Sequence, residues 1–197
     1  MESTVNKHDV ISFFDSIAGH WDENMIRDDE VINTILDNAN VSEGKDILDV
    51  ACGTGVLIPD YLKRDVASVT AIDISPEMAK IAREKFESDK VHVICGDVET
   101  QVFDKQFDSI VVYNAFPHFP DPQGLIRVLA SRLKDGGTLT VAHGMSRARI
   151  DRIHSGSAKK VSLRLISEEA LAEMFETRLQ VTAKISDDRM YQVVGVK

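Results

Sequence analysis

The stretch Ile47 to Leu57, ILDVACGTGVL, is an apolar run that ends in a glycine-rich turn. Gly53 and Gly55 allow the chain to turn sharply and allow a ligand to approach the backbone. A helix after such a turn offers unpaired N–H groups and the positive end of its dipole to that ligand. A lone G-x-G is weak evidence, because a tight strand-to-helix turn without a ligand explains it equally well.

Three aspartates near the ends of apolar runs favour a ligand. Asp49 lies just before the glycines, Asp73 follows them by about 20 residues, and Asp97 lies in CGDVE. A carboxylate at the spacing of Asp73 accepts hydrogen bonds from ribose hydroxyls, and Asp97 is suited to an adenine amino group. Asp49 would repel a pyrophosphate but attract an ammonium or sulfonium group. Ile58 stands where a dinucleotide motif has its last glycine, so a nicotinamide cofactor is the weaker alternative.

Composition limits the partners of such a site. The chain has 197 residues, 43% of them hydrophobic, which suits one domain with a continuous core. The net charge of −9 argues against nucleic acid and anionic lipid. The basic residues near the C-terminal third are interpreted as a solvated loop; they are Arg147, Arg149, Arg152, Lys159 and Lys160. Cys52 and Cys95 form neither a metal knuckle nor a disulfide framework. Without a signal peptide or an apolar run of spanning length, the sequence predicts a cytoplasmic protein with no membrane span.

Periodicity predicts the elements that hold these residues. DVISFFDSIAGHW and DEVINTILDNA have helical spacing. From Asp46 onward, short apolar runs alternate with amphipathic helices, which predicts a parallel sheet covered on both faces. Ser75 and Pro76 are expected to start one helix and Gly136 to stop another. LQVTAKIS and MYQVVGVK, separated only by DDR, should pair antiparallel, because a parallel crossover needs a dozen or more residues.

The whole ordered set is similar to the class I S-adenosylmethionine-dependent methyltransferases. The similarity runs from FFDSIAGHWD through ILDVACGTGVL, AIDISPEMAKIARE, CGDVE and LKDGGTLTVA to the closing hairpin, and it points to the small-molecule branch of the ubiquinone/menaquinone C-methyltransferase type. It implies an α/β, Rossmann-like, doubly wound sheet of seven mostly parallel strands with an antiparallel C-terminal hairpin and helices on both faces. Asp135 replaces the proline that is common in the family's LKPGG turn, which affects that loop only.

The resemblance also implies the cofactor and the residues around it. S-adenosyl-L-methionine would bind and leave as S-adenosyl-L-homocysteine. The methionine part of the cofactor would contact Asp49, Ala51, Gly53 and Gly55, and its ribose would contact Asp73. The adenine face would lie against Ile74 and Met78, and the adenine edge would contact Asp97 and Val98. Asn114 would line the floor beneath the cofactor. Trp21 is added because a tryptophan ring beside a cation is favourable.

The chain is predicted to divide into three parts of a single domain. Residues 1–40 would form a helical lid that excludes water, residues 46–145 the cofactor-binding core, and residues 146–197 a substrate-side loop, helix and hairpin. Fold does not give the substrate, and whether the chain is a monomer or a homodimer stays open.

The acceptor is expected to be a small molecule whose reacting atom, O, C, N or S, stays open. The sequence has Asn114, Ala115 and Phe116 where enzymes that methylate nucleobase or amide nitrogens carry N-P-P-Y, which argues against nucleic acid. Transfer would be an in-line displacement whose main requirement is positioning.

Two histidines are candidate bases for that transfer. His118 and His143 could each remove a proton from the acceptor, although either could be structural. Ser146 and Arg147 after His143 suggest a polar cluster for an anionic substrate.

Three alternatives to this scheme remain. A metal site of His118, His143 and His154 lacks a ligand-spacing motif, so no metal is predicted. The chain as a whole could bind the cofactor without catalysis, or, less favoured, could be a nicotinamide oxidoreductase.

Overall fold

A computed structural model describes residues 5–154 and 158–197. Seven strands form its sheet: β1 Asp46–Val50, β2 Ser68–Asp73, β3 Val91–Cys95, β4 Phe107–Tyr113, β5 Leu133–His143, β6 Gln180–Ser186 and β7 Tyr191–Val196. The helices are α1 Lys7–Ile17, α2 Asp29–Asn38, α3 Ile58–Lys63, α4 Pro76–Lys85, α5 Pro122–Ser131, α6 Arg147–His154 and α7 Glu168–Glu176. Short 3₁₀ helices cover Ala18–His20, Asp22–Asn24 and Phe116–His118.

The sheet order is β3-β2-β1-β4-β5-β7-β6. Strands β1 to β5 are parallel, whereas β7 lies between β5 and β6 and runs antiparallel to both. The central strands β1, β2 and β4 are buried along nearly their whole length, as expected for a sheet covered on both faces. The predicted seven-stranded, mostly parallel sheet with an antiparallel C-terminal hairpin is confirmed.

The direction of winding reverses between β1 and β4. The chain proceeds from β1 outward to β3 and then returns to the other side of β1 with β4. In open α/β sheets, ligands bind beyond the carboxyl ends of the strands at such a reversal. The glycine turn follows β1, so the sheet places it at this position.

Helix α4 begins as its sequence predicts. The Ser75 hydroxyl accepts a hydrogen bond from the Met78 amide at 3.2 Å, and Pro76 occupies the first helical position.

Two other local predictions were wrong. Gly136 does not stop α5, which already ends at Ser131; it has φ +77° inside β5, where its amide donates to the Lys197 carbonyl at 3.0 Å. The arginine-rich segment after Gly144 is not a loop but begins helix α6 at Arg147. Among residues 147–153 of that helix only Ile150 is buried, which is too weak a periodic signal to predict a helix from the sequence.

No helix within residues 5–154 and 158–197 combines the length and apolarity that crossing a bilayer requires.

Candidate functional site

A cavity of about 420 Å³ opens at the carboxyl ends of the strands. Its volume is in the range of small-molecule sites, roughly 300–1,000 Å³. Most of the residues predicted from the sequence line it: Trp21, Ala51, Gly53, Asp73, Ile74, Met78, Asp97, Val98, Asn114, His118 and His143. Asp49 and Gly55 lie behind this lining. The sheet therefore gathers the ends of five strands around one space.

Asp73 fixes the glycine turn to the end of β2. Its two carboxylate oxygens accept hydrogen bonds from the backbone amides of Gly53 at 2.8 Å and Ser75 at 2.9 Å. Burial raises the pKa of this carboxyl group to about 6, and the amide hydrogen bonds oppose the shift. A carboxylate has about four acceptor positions, so Asp73 retains capacity for ligand hydroxyls.

Asp49 is a buried acid whose Oδ2 has no hydrogen-bond partner among the described residues. Burial, followed by the charge of Asp73, raises its pKa to about 8; the Tyr61 hydroxyl opposes this shift without forming a well-shaped hydrogen bond. An unpaired buried carboxylate is costly, and a nearby cation would stabilise its charged form. The end of β1 is therefore suited to positive charge.

The two glycines of the turn have different structural roles. Gly55 has φ +87°, and a Cβ there would lie 2.6 Å from the Phe86 ring and 2.8 Å from Ile58 Cδ1. Gly53 has φ +56°, and a Cβ there would meet only the Trp21 indole nitrogen, at 3.9 Å. Gly55 thus allows close packing behind the turn, whereas Gly53 leaves backbone exposed to the cavity.

The N-terminal segment is attached to the cavity wall by residues that the sequence analysis missed. Lys7 Nζ lies 2.6 Å from Asp97 Oδ2 and 2.5 Å from Glu99 Oε2. Burial is the largest single influence and lowers the pKa of Lys7, but the hydrogen bonds and charges of Asp97 and Glu99 together outweigh it and raise this pKa above its ordinary value. Since 90 residues separate Lys7 from Asp97, no local pattern could have revealed this contact.

Two further contacts hold the same segment. Asp15 Oδ1 accepts hydrogen bonds from the Ser75 hydroxyl at 2.5 Å and the Glu77 amide at 3.2 Å, at the start of α4. Asp22 accepts a hydrogen bond from Thr54 in the glycine turn at 2.6 Å, and its other oxygen pairs with a lysine of α4. These hydrogen bonds thus join the N-terminal segment directly to the glycine turn and to the start of α4.

On the other side of the cavity, His118 is oriented by backbone. Its Nδ1 lies 2.8 Å from the Val161 carbonyl, which can only accept, so Nδ1 carries a proton in this contact. In the neutral ring, Nε2 is then the basic nitrogen. The ring meets Phe14 of α1 edge to face, with 4.9 Å between centroids. Asn114 nearby has φ +54° and accepts a hydrogen bond from the Gly144 amide at 3.0 Å.

His143 is buried at the end of β5, beside Tyr191 in the strand register, with 6.0 Å between ring centroids. Arg147 does not line the cavity; its guanidinium lies 3.9 Å from Glu168. The polar cluster expected for an anionic substrate is therefore not assembled around His143. The His154 side chain lies outside the described residues, and within the described part of the chain no group of three His, Cys, Asp or Glu residues could hold a metal ion.

Comparison with known proteins agrees with this architecture. Residues 48–141 match the family model described as a methyltransferase domain. The chain is 36% identical over 113 residues to malonyl-[acyl-carrier protein] O-methyltransferase of Acetivibrio thermocellus, covering 56% of this chain and 40% of that protein. It is 30% identical over 146 residues to ubiquinone biosynthesis O-methyltransferase of Coxiella burnetii, covering 70% and 62%. The matches thus span about two fifths to three fifths of these relatives.

Among solved structures, N-methyltransferase NodS from Bradyrhizobium japonicum WM9, in complex with S-adenosyl-L-homocysteine, shares the fold. The TM-score is 0.75 at 14% identity, and the alignment covers 98% of each chain. Together with the family match, this confirms the predicted resemblance to S-adenosylmethionine-dependent methyltransferases.

Proposed function

We propose that this chain, which contains a methyltransferase domain over residues 48–141, transfers the methyl group of S-adenosylmethionine to a small-molecule acceptor. The observation that carries the proposal is the buried carboxylate pair beside the glycine turn. Asp73 binds the turn, and Asp49 has an oxygen without a hydrogen-bond partner among the described residues. A ligand with hydroxyl donors and positive charge complements both acids, which is the chemistry of this cofactor.

The other lining residues suit the remaining parts of the cofactor. Ile74, Met78 and Val98 offer apolar surface to an adenine ring, and the backbone at Ala51 and Gly53 faces the cavity. When bound, S-adenosylmethionine supplies an activated methyl group on a sulfonium. The chain's own contribution is to hold the acceptor in line with that group and to exclude water.

Lys7 bears on the role proposed for Asp97. Because Lys7 already pairs with one oxygen of this carboxylate, an adenine amino group would share the acid with it.

His118 is the better placed of the two proposed bases. Its Nδ1 proton is held by the Val161 carbonyl, which leaves Nε2 as the basic nitrogen of the neutral ring. Such a base is needed if the acceptor loses its proton during transfer, as a hydroxyl does. Both relatives described above are named O-methyltransferases, which supports an oxygen acceptor.

The N-terminal segment, within residues 1–40, is proposed to act as the lid. Its Phe14 and Trp21 line the cavity, and its Lys7 and Asp22 pair with groups on the cofactor side. Limited proteolysis before Asp22 should slow when S-adenosylhomocysteine is bound, because the ligand stabilises the closed segment. Cleavage at the same rate with and without the ligand would contradict the lid.

The central experiment incubates the purified protein with a cell extract and isotopically labelled S-adenosylmethionine. Mass spectrometry should find label in a small molecule with wild-type protein and none with an Asp73→Ala variant. Label appearing only in nucleic acid would contradict the proposal. Tight binding of S-adenosylhomocysteine without transfer to any molecule would favour a binding module, and tight binding of NAD(P) would favour an oxidoreductase. The cytoplasmic location stays a prediction from composition.

A further inference from the structure

Two polar side chains behind the glycine turn are buried without a well-shaped hydrogen bond. Asp49 of β1 is 2% exposed, and Tyr61 of α3 is 0% exposed. Within residues 5–154 and 158–197, neither Asp49 Oδ2 nor the Tyr61 hydroxyl has a hydrogen-bond partner. Burying polar atoms in this way is costly, so two of them in one place call for an explanation other than packing.

The strand register directs both side chains to the same face of the sheet. Asp49 is paired with Ala71 of β2 and Val111 of β4, and alternate residues along a strand share a face. Ala71, Val111 and Tyr61 belong to one buried apolar cluster, to which α2 and α4 also contribute. Since most of this cluster is hydrocarbon, it offers few donors. The Tyr61 hydroxyl is a donor on the side of the sheet where the carboxylate lies.

Tyr61 keeps the proton that it would donate. Burial, followed by the charge of Asp49, raises the pKa of the Tyr61 hydroxyl well above its ordinary value. The effect of this hydroxyl on Asp49 is to lower the pKa of the acid. The Tyr61 amide donates to the Leu57 carbonyl at 3.1 Å. This bond ties the ring to the first turn of the helix that follows Gly53 and Gly55.

The nearest other titratable groups do not act as donors to Asp49. The charge of Asp73, at the end of β2, raises the pKa of Asp49. Cys52 lies in the turn, where burial raises the pKa of its thiol well above the ordinary value. Its Sγ donates to the Gly53 carbonyl at 3.6 Å. These groups therefore oppose the charged form of Asp49 or leave it unchanged.

The groups beside Tyr61 are engaged as well. Arg27 Nη2 donates to both oxygens of Asp60, the residue before Tyr61, at 2.8 and 2.7 Å. Burial raises the pKa of Tyr113, on β4, to about 12, and the Asn114 side chain opposes this shift. Tyr113 therefore stays neutral and Arg27 is committed to Asp60. The positive charge that would complement the acid of β1 is left for a ligand to supply.

We propose that Tyr61 is a positioning residue for the methionine part of the cofactor: its hydroxyl donates to Asp49 and stabilises the charged form of that acid, which attracts the ammonium and sulfonium groups. This inference rests on the proposed function, which it deepens by assigning a residue to cofactor recognition. Tyr61 does not line the cavity, so it acts through Asp49. Asp49 in turn lies behind the lining, and its charge acts across the glycine turn.

The first test compares two ligands that differ in the amino-acid part. Calorimetry at pH 7 measures the Kd of S-adenosylhomocysteine and of 5′-methylthioadenosine, which has the same nucleoside but no ammonium group. Tyr61→Phe should weaken S-adenosylhomocysteine about 10-fold, because a hydrogen bond to a charged group corresponds to about 10- to 100-fold in affinity. The Kd of 5′-methylthioadenosine should change by less than about twofold. Phenylalanine fills nearly the same volume, so the core is kept.

The second test counts the protons released when S-adenosylhomocysteine binds at pH 8, by titration in two buffers of different ionisation enthalpy. This pH is near the pKa of about 8 for Asp49, so wild type should release about half a proton as the ligand's cation stabilises the carboxylate. Tyr61→Phe should release more, because more of its Asp49 is protonated before binding. Asp49→Asn should remove this release. Loss of packing alone would not change the number of protons.

A tyrosine on the opposite face is the matched control. Tyr191 is also 0% exposed, and its hydroxyl also lacks a hydrogen-bond partner in the described part of the chain. It packs in the cluster that contains Leu48 and Val50. Tyr191→Phe removes the same atom from an equally buried site, and it should keep the wild-type Kd values and proton release.

A double variant separates the action through Asp49 from a direct effect. In an Asp49→Asn background, Tyr61→Phe should change the Kd of S-adenosylhomocysteine by less than about twofold, because the charge that the hydroxyl stabilises is absent. The inference is overturned by an unchanged Kd in Tyr61→Phe, by equal losses for both ligands, by the same loss in the Asp49→Asn background, or by wild-type proton release.

The inference and the proposed function fail separately. Methyl transfer to a small molecule, with a Tyr61→Phe variant that binds S-adenosylhomocysteine as wild type does, would leave the function standing and reject the inference. The expected changes in Kd and proton release, without transfer to any acceptor, would support the role of Tyr61 and reject the proposed function.

Discussion

The proposed cofactor side of the cavity, at the ends of β1 to β3, differs from the proposed acceptor side, at the ends of β4 and β5, in how its residues are held. Asp73 binds the amides of Gly53 and Ser75, so backbone hydrogen bonds between neighbouring strand ends organise the cofactor side. His118 depends on the Val161 carbonyl, 43 residues away, and on the ring of Phe14. The methyltransferase-domain match ends at residue 141, before His143 and helix α6. The proposed cofactor side thus lies largely within the matched segment, whereas the proposed acceptor side combines His118, inside that segment, with His143 and Phe14, outside it.

The largest expected effect tests the cofactor side. Asp73→Ala should weaken binding of S-adenosylhomocysteine by about 10²–10⁴-fold, because two ribose hydroxyls lose a charged acceptor and each such hydrogen bond contributes about 1.5–3 kcal/mol. Isothermal titration calorimetry measures the change. The matched control is Asp104→Ala, which removes an exposed acid away from the cavity. Equal affinities of the Asp73→Ala variant and wild type would reject the ribose assignment.

The next effect tests the acceptor side. His118→Gln should lower the methyl-transfer rate at saturating substrate by about 100-fold or more if His118 is the base. Glutamine retains a donor for the Val161 carbonyl, so the loop position should be kept. The acid-side decline of the wild-type rate should also disappear from the pH profile. His92→Gln, at an exposed position of β3, is the control. A His118→Gln variant with the wild-type rate and pH profile would leave His118 as a wall residue.

The buried acids Asp49 and Asp73 make the free energy of unfolding depend on pH in the opposite sense from carboxylates whose pKa is lowered by folding. The folded-state pKa of Asp49 is raised to about 8 and that of Asp73 to about 6. The folded protein therefore binds these protons more tightly than the unfolded chain does. Their contribution to the free energy of unfolding is complete below about pH 4 and is lost as the pH rises through the folded-state pKa values. Asp49→Asn should match wild type near pH 4 and exceed its free energy of unfolding by several kcal/mol at pH 8. Denaturant unfolding without cofactor at both pH values measures this, and a difference independent of pH would contradict it.

The smallest effect separates the two roles of the glycine turn. Gly55→Ala should lower the free energy of unfolding by about 1–3 kcal/mol more than Gly44→Ala. Both positions have positive φ, but a Cβ at Gly44 meets nothing within 4 Å, whereas at Gly55 it meets Phe86 and Ile58. Gly53→Ala should instead reduce cofactor affinity more than stability, because its Cβ faces the cavity. Thermal unfolding and calorimetry on the three variants test this order, and equal losses at Gly44 and Gly55 would show that packing behind the turn is loose.

The cavity lining at the ends of β1 to β3 could largely be predicted from the sequence. The apolar run, the glycines and the aspartates at three strand ends are local signals, and parallel strands bring their carboxyl ends to the same edge. Which of the predicted residues face the cavity was harder to predict from the sequence. Asp49 and Gly55 lie behind the lining, since strand alternation and close packing decide orientation after the elements have formed.

The sequence by itself determined the strand and helix order, the antiparallel C-terminal hairpin and the acids of the cofactor side, because each depends on periodicity, turn chemistry or spacing within a few dozen residues. Tertiary structure alone decided that Lys7 pairs with Asp97, that Arg27 is fully engaged by Asp29, Asp60 and a carbonyl, and that α6 is a helix. It also decided that Trp21, Ile26 and Ile153 meet at one cavity mouth. These contacts join segments far apart in the chain, and their partners are selected by packing across the closed fold, which no local pattern records.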